Sequence, residues 1–224
     1  MPPEVFIDIA GQDDFASRLD SWVLREALKH AVAWNRLSRT PLQISANVSA
    51  QHFRSESLIS EVRLALEGSG MAPGLLTLEV TEHALLENWD RSLRTLRELS
   101  RLGVRVALDD FGTGYSSLSH LKQLQIDEVK VDPSFVADLE TSDQTGMMFD
   151  ALVDISRALG MQLTVEGIES TGQARILSEL GGDIGQGYLF SWPLAPEDAR
   201  KIVLSGMWIQ DYRQVPPLPD RTGT

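Results

Sequence analysis

Short apolar segments alternate along this chain with longer amphipathic ones, and inside the short segments every second residue is polar. Strand-like runs fall at residues 42–48, 75–80, 104–110, 128–132, 162–166 and 184–190. Helix-patterned stretches lie before and between them, at 15–37, 57–67, 87–102, 117–124, 143–159 and 171–180. In the first of these, Leu19, Trp22, Val23, Ala27, Ala31 and Trp34 follow the spacing of one buried helical face. Several stretches run into a glycine where a helix is expected to stop: Gly68, Gly103, Gly160 and Gly181. Repeated alternation of this kind predicts an α/β fold with parallel strands and crossover helices, either an open doubly wound sheet or a closed barrel.

The phase inside the strands separates the two. Successive strand side chains point to opposite faces, so Leu76, Leu78 and Val80 share one face while Thr77 and Glu79 share the other. The same division sets Val104, Val106 and Leu108 against Arg105, Ala107 and Asp109. It recurs with Val129 and Val131 against Lys130 and Asp132, and with Leu163 and Val165 against Thr164 and Glu166. Inner strands of a doubly wound sheet are apolar on both faces. A (βα) barrel packs one face on helices and turns the other into its lumen, with its chemistry at the C-terminal strand ends. Asn47, Glu79, Asp109, Lys130 and Glu166 all sit late in their strands on the polar phase, which favours the barrel.

Composition limits the partners. A chain of 224 residues with 42% hydrophobic content can bury a sizeable core as one domain. A net charge of −12 argues against gripping DNA or RNA through a broad basic surface. No apolar run reaches the roughly eighteen residues of a membrane span, and no signal segment follows Met1. The absence of cysteine excludes disulfides and thiolate metal sites and fits a cytoplasmic protein. An acidic protein that binds a phosphate-bearing partner does so most naturally through divalent cations held by carboxylates.

The stretch VALDDFGTGYSSL places two adjacent aspartates, Asp109 and Asp110, at the end of a strand and directly before a glycine-spaced turn. Two like charges side by side repel unless something compensates them. An acidic turn is one reading, as is Lys130 paired with a neighbouring carboxylate as a barrel filler. The five polar strand ends taken with Asp110 support another. Their ligand set of Asn, Glu and Asp without His or Cys suits hard cations, Mg²⁺ or Mn²⁺, rather than zinc. One aspartate can then bridge two ions while the second binds one of them. Gly112 and Gly114 let the backbone turn sharply beside a ligand, and Ser116 and Ser117 offer hydroxyls and a helix cap. The four histidines lack metal-ligand spacing and read as surface or packing residues.

These residues resemble a known family. LDDFGTGYSSL, together with NVS at Asn47, LEVTE at 78–82, VKVDPSFV at 129–136, TVEGIE at 164–169 and QGYLFSWP at 186–193, looks like the EAL domain of bacterial cyclic di-GMP phosphodiesterases. The resemblance covers residues 2–196 and implies a modified TIM barrel that hydrolyses the second messenger cyclic di-GMP to linear pGpG with two metal ions. It implies that Asn47, Glu79 and Asp109 hold one metal, that Asp109, Asp110 and Glu166 hold the second, and that Lys130 acts in catalysis beside Asp109 and Glu166. It further implies that Glu82 anchors the DDFGTG loop with Gly112 and Gly114, and that Asp132 and Gln186 line the substrate site. A homodimer through the loop and helix from Asp110 to Leu124 is a further expectation.

One departure bears on activity. The family is named for a Glu-Ala-Leu sequence on a strand upstream of the FIxxA segment, and the expectation here is an N-terminally truncated, incomplete barrel. About six strands are readable where a closed barrel has eight. The letters E-A-L at Glu26, Ala27 and Leu28 fall inside an amphipathic helix and are not that motif. The expected architecture is one EAL-like barrel domain over residues 1–206 followed by a flexible, proline-rich tail over 207–224. The expected function is a cyclic di-GMP phosphodiesterase with one metal site impaired. The alternative is a catalytically silent receptor for the dinucleotide or a protein-interaction module.

Overall fold

The computed structural model describes residues 15–112 and 121–205. The expected helix at 117–124, apart from its last four residues, lies outside the described residues, as do Gly114, Ser116, Ser117 and the tail at 207–224. The chain forms two compact units, Met1–Asp109 with Gly114–Asp127, and Asp110–Thr113 with Glu128–Thr224.

The first unit begins with α1 (Phe15–Asn35) and β1 (Ile44–Asn47), followed by the short α2 (Ala50–Phe53) and α3 (Leu58–Ser69). A 3₁₀ turn at Pro73–Leu75 leads into β2 (Leu76–Thr81), then α4 (Glu82–Leu86), α5 (Trp89–Leu102) and β3 (Arg105–Phe111), whose last residues pass into the second unit. β1 pairs with β2, and β2 with β3, both in parallel. Leu76, Leu78, Val80, Val106 and Leu108 are buried, as the phase predicted.

Two readings of this unit need correction. The buried residues of α1 are Ser21, Leu24, Leu28 and Ala31, whereas Trp22 is 56% exposed and Val23 is also exposed. The helix carries apolar residues on more than one side, and periodicity alone did not show which side the sheet covers. Gly68 does not end α3, because the helix runs on to Ser69 and Gly70 takes the left-handed cap at φ 74°. Gly103, Gly160 and Gly181 do end their helices in that conformation. Glu26, Ala27 and Leu28 are helical, as expected.

Glu61 ties α3 to α1 by accepting a hydrogen bond from the Ser21 hydroxyl. Burial pushes its carboxyl up, but hydrogen bonds from Ser21 and Ser57 and the charges of His52 and Arg25 outweigh that and hold it below the usual value of 4.5. A carboxyl lowered in the folded state contributes stability that is present above its unfolded value and lost as pH falls through the folded one. Glu61→Gln is therefore expected to melt below wild type near pH 7, with the gap closing as pH drops below 4.5. Thermal melts followed by circular dichroism measure this, and a gap independent of pH would contradict it.

The second unit carries β4 (Glu128–Val131), α6 (Ser134–Ala137), α7 (Asp143–Leu159), β5 (Gln162–Val165), α8 (Thr171–Leu180), β6 (Ile184–Gly185) and α9 (Pro196–Ser205). β4 pairs with β5, and β5 with β6, again in parallel. Val129, Val131, Leu163 and Val165 are buried, with Phe149 and Val153 of α7 and Leu177 of α8 completing the core. A capping box of Ser170 and Gln173 starts α8. The expected strand at 184–190 is only two residues long. Beyond it the backbone bonds to the loop before α8 instead: Ile168 N–H donates to Gln186 O at 3.1 Å and Leu189 N–H to Ile168 O at 2.9 Å.

Candidate metal and phosphodiester site

In the first unit the register gathers three oxygen donors. Asn47 pairs with Glu79, and Glu79 with Ala107, so Asp109, two residues beyond Ala107, projects from the same face as the other two. Glu79 is buried and Asp109 half-buried, while Asn47, at the strand end, is exposed. Among the described residues no three or more His, Cys, Asp or Glu side chains lie close enough to hold a metal ion. The donor set here is two carboxylates and one carboxamide, the hard oxygen chemistry that suits Mg²⁺ or Mn²⁺. Glu82 opens α4 directly after β2 and is 5% exposed, and both its carboxylate oxygens are buried without a hydrogen-bond partner. Such a carboxylate calls for donors.

Asp110 adopts φ 57° and is the one residue other than glycine with positive φ among the described residues. Aspartate tolerates this region better than most residues. That φ departs from extended strand backbone, so the period-two alternation that places Asp109 does not by itself fix the direction of the Asp110 side chain. Gly112 follows at φ 100°, and a Cβ there would come within 2.5 Å of the Phe135 ring. The turn thus demands glycine.

In the second unit the Lys130 ammonium lies 2.6 Å from Glu166 Oε1. The lysine side chain is 5% exposed and the glutamate 18%. Lys130 pairs in register with Thr164, which places Glu166 on the same face, and Glu166 N–H donates to Val131 O at 3.2 Å. Thr164 is also the partner of Ile184, and Gln186, exposed just beyond β6, donates its N–H to Val165 O at 2.8 Å. Asp132 is occupied locally: its Oδ1 accepts from Ser134 N–H at 2.9 Å, an Asx turn that starts α6. Glu128, which the sequence reading passed over, accepts a buried hydrogen bond of 2.6 Å from the Thr164 hydroxyl. Its place two residues before Lys130 was the available signal. His52, read as surface or packing, is buried between two carboxylates.

Comparison with known proteins supplies the family. The model of the EAL domain matches residues 1–193. The cyclic di-GMP phosphodiesterase NbdA of Pseudomonas aeruginosa is 39% identical over 192 residues, 86% of this chain and 24% of that protein. The chain spans about a quarter of the length of the curated relatives it matches. Among solved structures, the c-di-GMP complex of the PaMucR phosphodiesterase, from the same organism, superposes with a TM-score of 0.84 at 34% identity, covering 89% of this chain and 81% of that one. The manganese and cyclic di-GMP complex of Klebsiella pneumoniae BlrP1 superposes at 0.77 with 28% identity, covering 87% and 49%. These likenesses bear out the expected α/β, TIM-barrel-like class. No helix among the described residues is long and apolar enough to cross a membrane. The chain belongs to the EAL domain family.

Proposed function

We propose that this chain is a cyclic di-GMP phosphodiesterase domain that hydrolyses one phosphodiester bond to give linear pGpG, with Mg²⁺ or Mn²⁺ as cofactor. The observation that carries the reading is the alignment of Asn47, Glu79 and Asp109 on one face of β1, β2 and β3. These three would hold one cation, and Asp110 and Glu166 would serve the second. When bound, such ions supply positive charge to a phosphodiester and make water a nucleophile near neutral pH.

The chain's own residues do the rest. The Lys130 ammonium, fixed by Glu166 and largely shielded from water, places positive charge where negative charge builds on the phosphoryl oxygens. Its burial preserves that charge against screening. Glu82 is assigned to anchoring the DDFGTG loop, a role supported by its two buried acceptors, which call for donors. Gln186 is assigned to contact with the substrate, and Asp132 to holding the turn after β4 beside it. A cytoplasmic setting, where the dinucleotide acts, and a dimer through the segment from Asp110 to Leu124 belong to the same proposal.

The purified 224-residue chain is expected to convert cyclic di-GMP to pGpG with Mn²⁺ or Mg²⁺, and to stop when EDTA removes the metal. Product is followed by chromatography. Binding of the dinucleotide without turnover would replace the enzyme by a receptor, and a folded chain that neither binds nor hydrolyses it would sink both.

A further inference from the structure

The chain just after Asn47 is held from two directions. Val48 N–H donates to Glu79 O at 2.9 Å, which extends the sheet by one bond. Ser49 N–H instead donates to Asp20 Oδ2, on α1, at 2.8 Å. The same oxygen accepts the Ser49 hydroxyl at 2.6 Å, and Ser49 Oγ in turn accepts from His52 N–H, capping α2. His52 is 1% exposed. Its Nδ1 lies 3.4 Å from Asp20 Oδ2 and its Nε2 3.4 Å from Glu61 Oε2. One aspartate oxygen therefore meets a backbone amide, a hydroxyl and an imidazole. Through them α1, α2 and α3 are linked to the turn that ends β1.

This is a costly way to hold helices together. The imidazole is buried while the Asp20 and Glu61 side chains are 17% and 33% exposed, and such a polar cluster adds little stability; its best-attested use is to fix a geometry. A serine cap alone needs only its own helix amide. The extra bonds here converge on Ser49, two residues after Asn47 at the end of β1. We propose that Asp20 is a positioning residue: through Ser49, and braced by His52 and Glu61, it sets the orientation of Asn47 toward the divalent cation. The inference rests on the metal reading of Asn47, Glu79 and Asp109 given above. Partners that hold a ligand in place typically change metal affinity by about 10- to 100-fold when removed.

Direct titration of Mn²⁺ into the 224-residue chain by calorimetry, well below the melting temperature, tests this. Asp20→Ala is expected to weaken Mn²⁺ binding about tenfold or more. Asp20→Asn, which keeps an acceptor for the Ser49 amide, restores most of it. Ser49→Ala, which removes the hydroxyl bond and disturbs the core little, weakens binding about threefold, the size of one hydrogen bond. Val62→Ala, at a fully buried position of α3, lowers the melting temperature but leaves the affinity unchanged. Wild-type affinity in Asp20→Ala overturns the inference while leaving the metal reading intact, as does equal weakening in Val62→Ala. Should Asp20→Ala fail to fold, unchanged affinity in Ser49→Ala overturns it. A wild-type chain that takes up no Mn²⁺ overturns both.

Discussion

Replacement of Glu166 by alanine is expected to cut hydrolysis of cyclic di-GMP to about one hundredth of the wild-type rate or less. Glu166 follows β5, is fixed by its backbone bond to Val131, and holds the Lys130 ammonium at 2.6 Å. The substitution removes a proposed ligand oxygen and the carboxylate that the buried Lys130 ammonium pairs with. A lower melting temperature should accompany it, because breaking a buried pair costs more than forming it gained. Glu166→Gln separates the two effects. The amide keeps the volume and an acceptor for Lys130, so the fold should survive, but it is a poor metal ligand. If the carboxylate serves the metal, the amide variant is as inactive as alanine. If it serves only to hold Lys130, the amide variant retains most of the rate. Full activity in Glu166→Ala, with pGpG read by chromatography, would remove this residue from the site.

The strand phase carried most of what the sequence could say about the site. Period-two alternation combined with parallel register is enough to place Asn47, Glu79 and Asp109 on one face, and the structure has that register. In the second unit the register pairs Lys130 with Thr164 and so brings Glu166 to the face that carries Lys130. What the sequence could not show depends on packing between separate elements. Trp22 and Val23 look like core residues in a helical pattern, yet Leu24 and Leu28 took the buried side of α1. The cluster of Asp20, His52 and Glu61 is spread over three helices, and no spacing in the chain announces it. β6 stops early because Gly185 and Gly187 offer little to a strand, and the bonds to Ile168 are available instead. Helix α9 was legible but passed over: Pro196 at its start, followed by Glu197 and Asp198, is a helix-opening pattern.

Gly187→Ala should be the most damaging single-methyl change in the second unit. A Cβ at Gly187 would sit 2.2 Å from Ile168 O, 2.3 Å from its N and 2.7 Å from its C. These are backbone atoms and cannot rotate away as a side chain would. Ile168 is itself pinned, since its N–H donates to Gln186 O and its carbonyl accepts from Leu189 N–H. One residue earlier Gly167 stands at φ 73°, where a Cβ would meet Pro133 Cβ at 2.5 Å. The loop after Glu166 is thus gripped by Pro133 on one side and by the 186–189 turn on the other. Making room for the new methyl must move Ile168, and with it the end of the segment that carries Glu166. A cost of about 3 kcal/mol or more is expected, the range of severe overpacking. Gly146→Ala is the matched control: it lies within α7 with nothing within 4 Å of its added methyl. That change should stabilise by about 0.5–1 kcal/mol, because alanine favours the helix over glycine. Denaturant melts of the two variants should therefore move in opposite directions, and Gly187→Ala should lose hydrolysis even where it remains folded. A Gly187→Ala protein as stable and active as wild type would mean that the Ile168 loop yields freely, and the clamp on Glu166 would have to be given up.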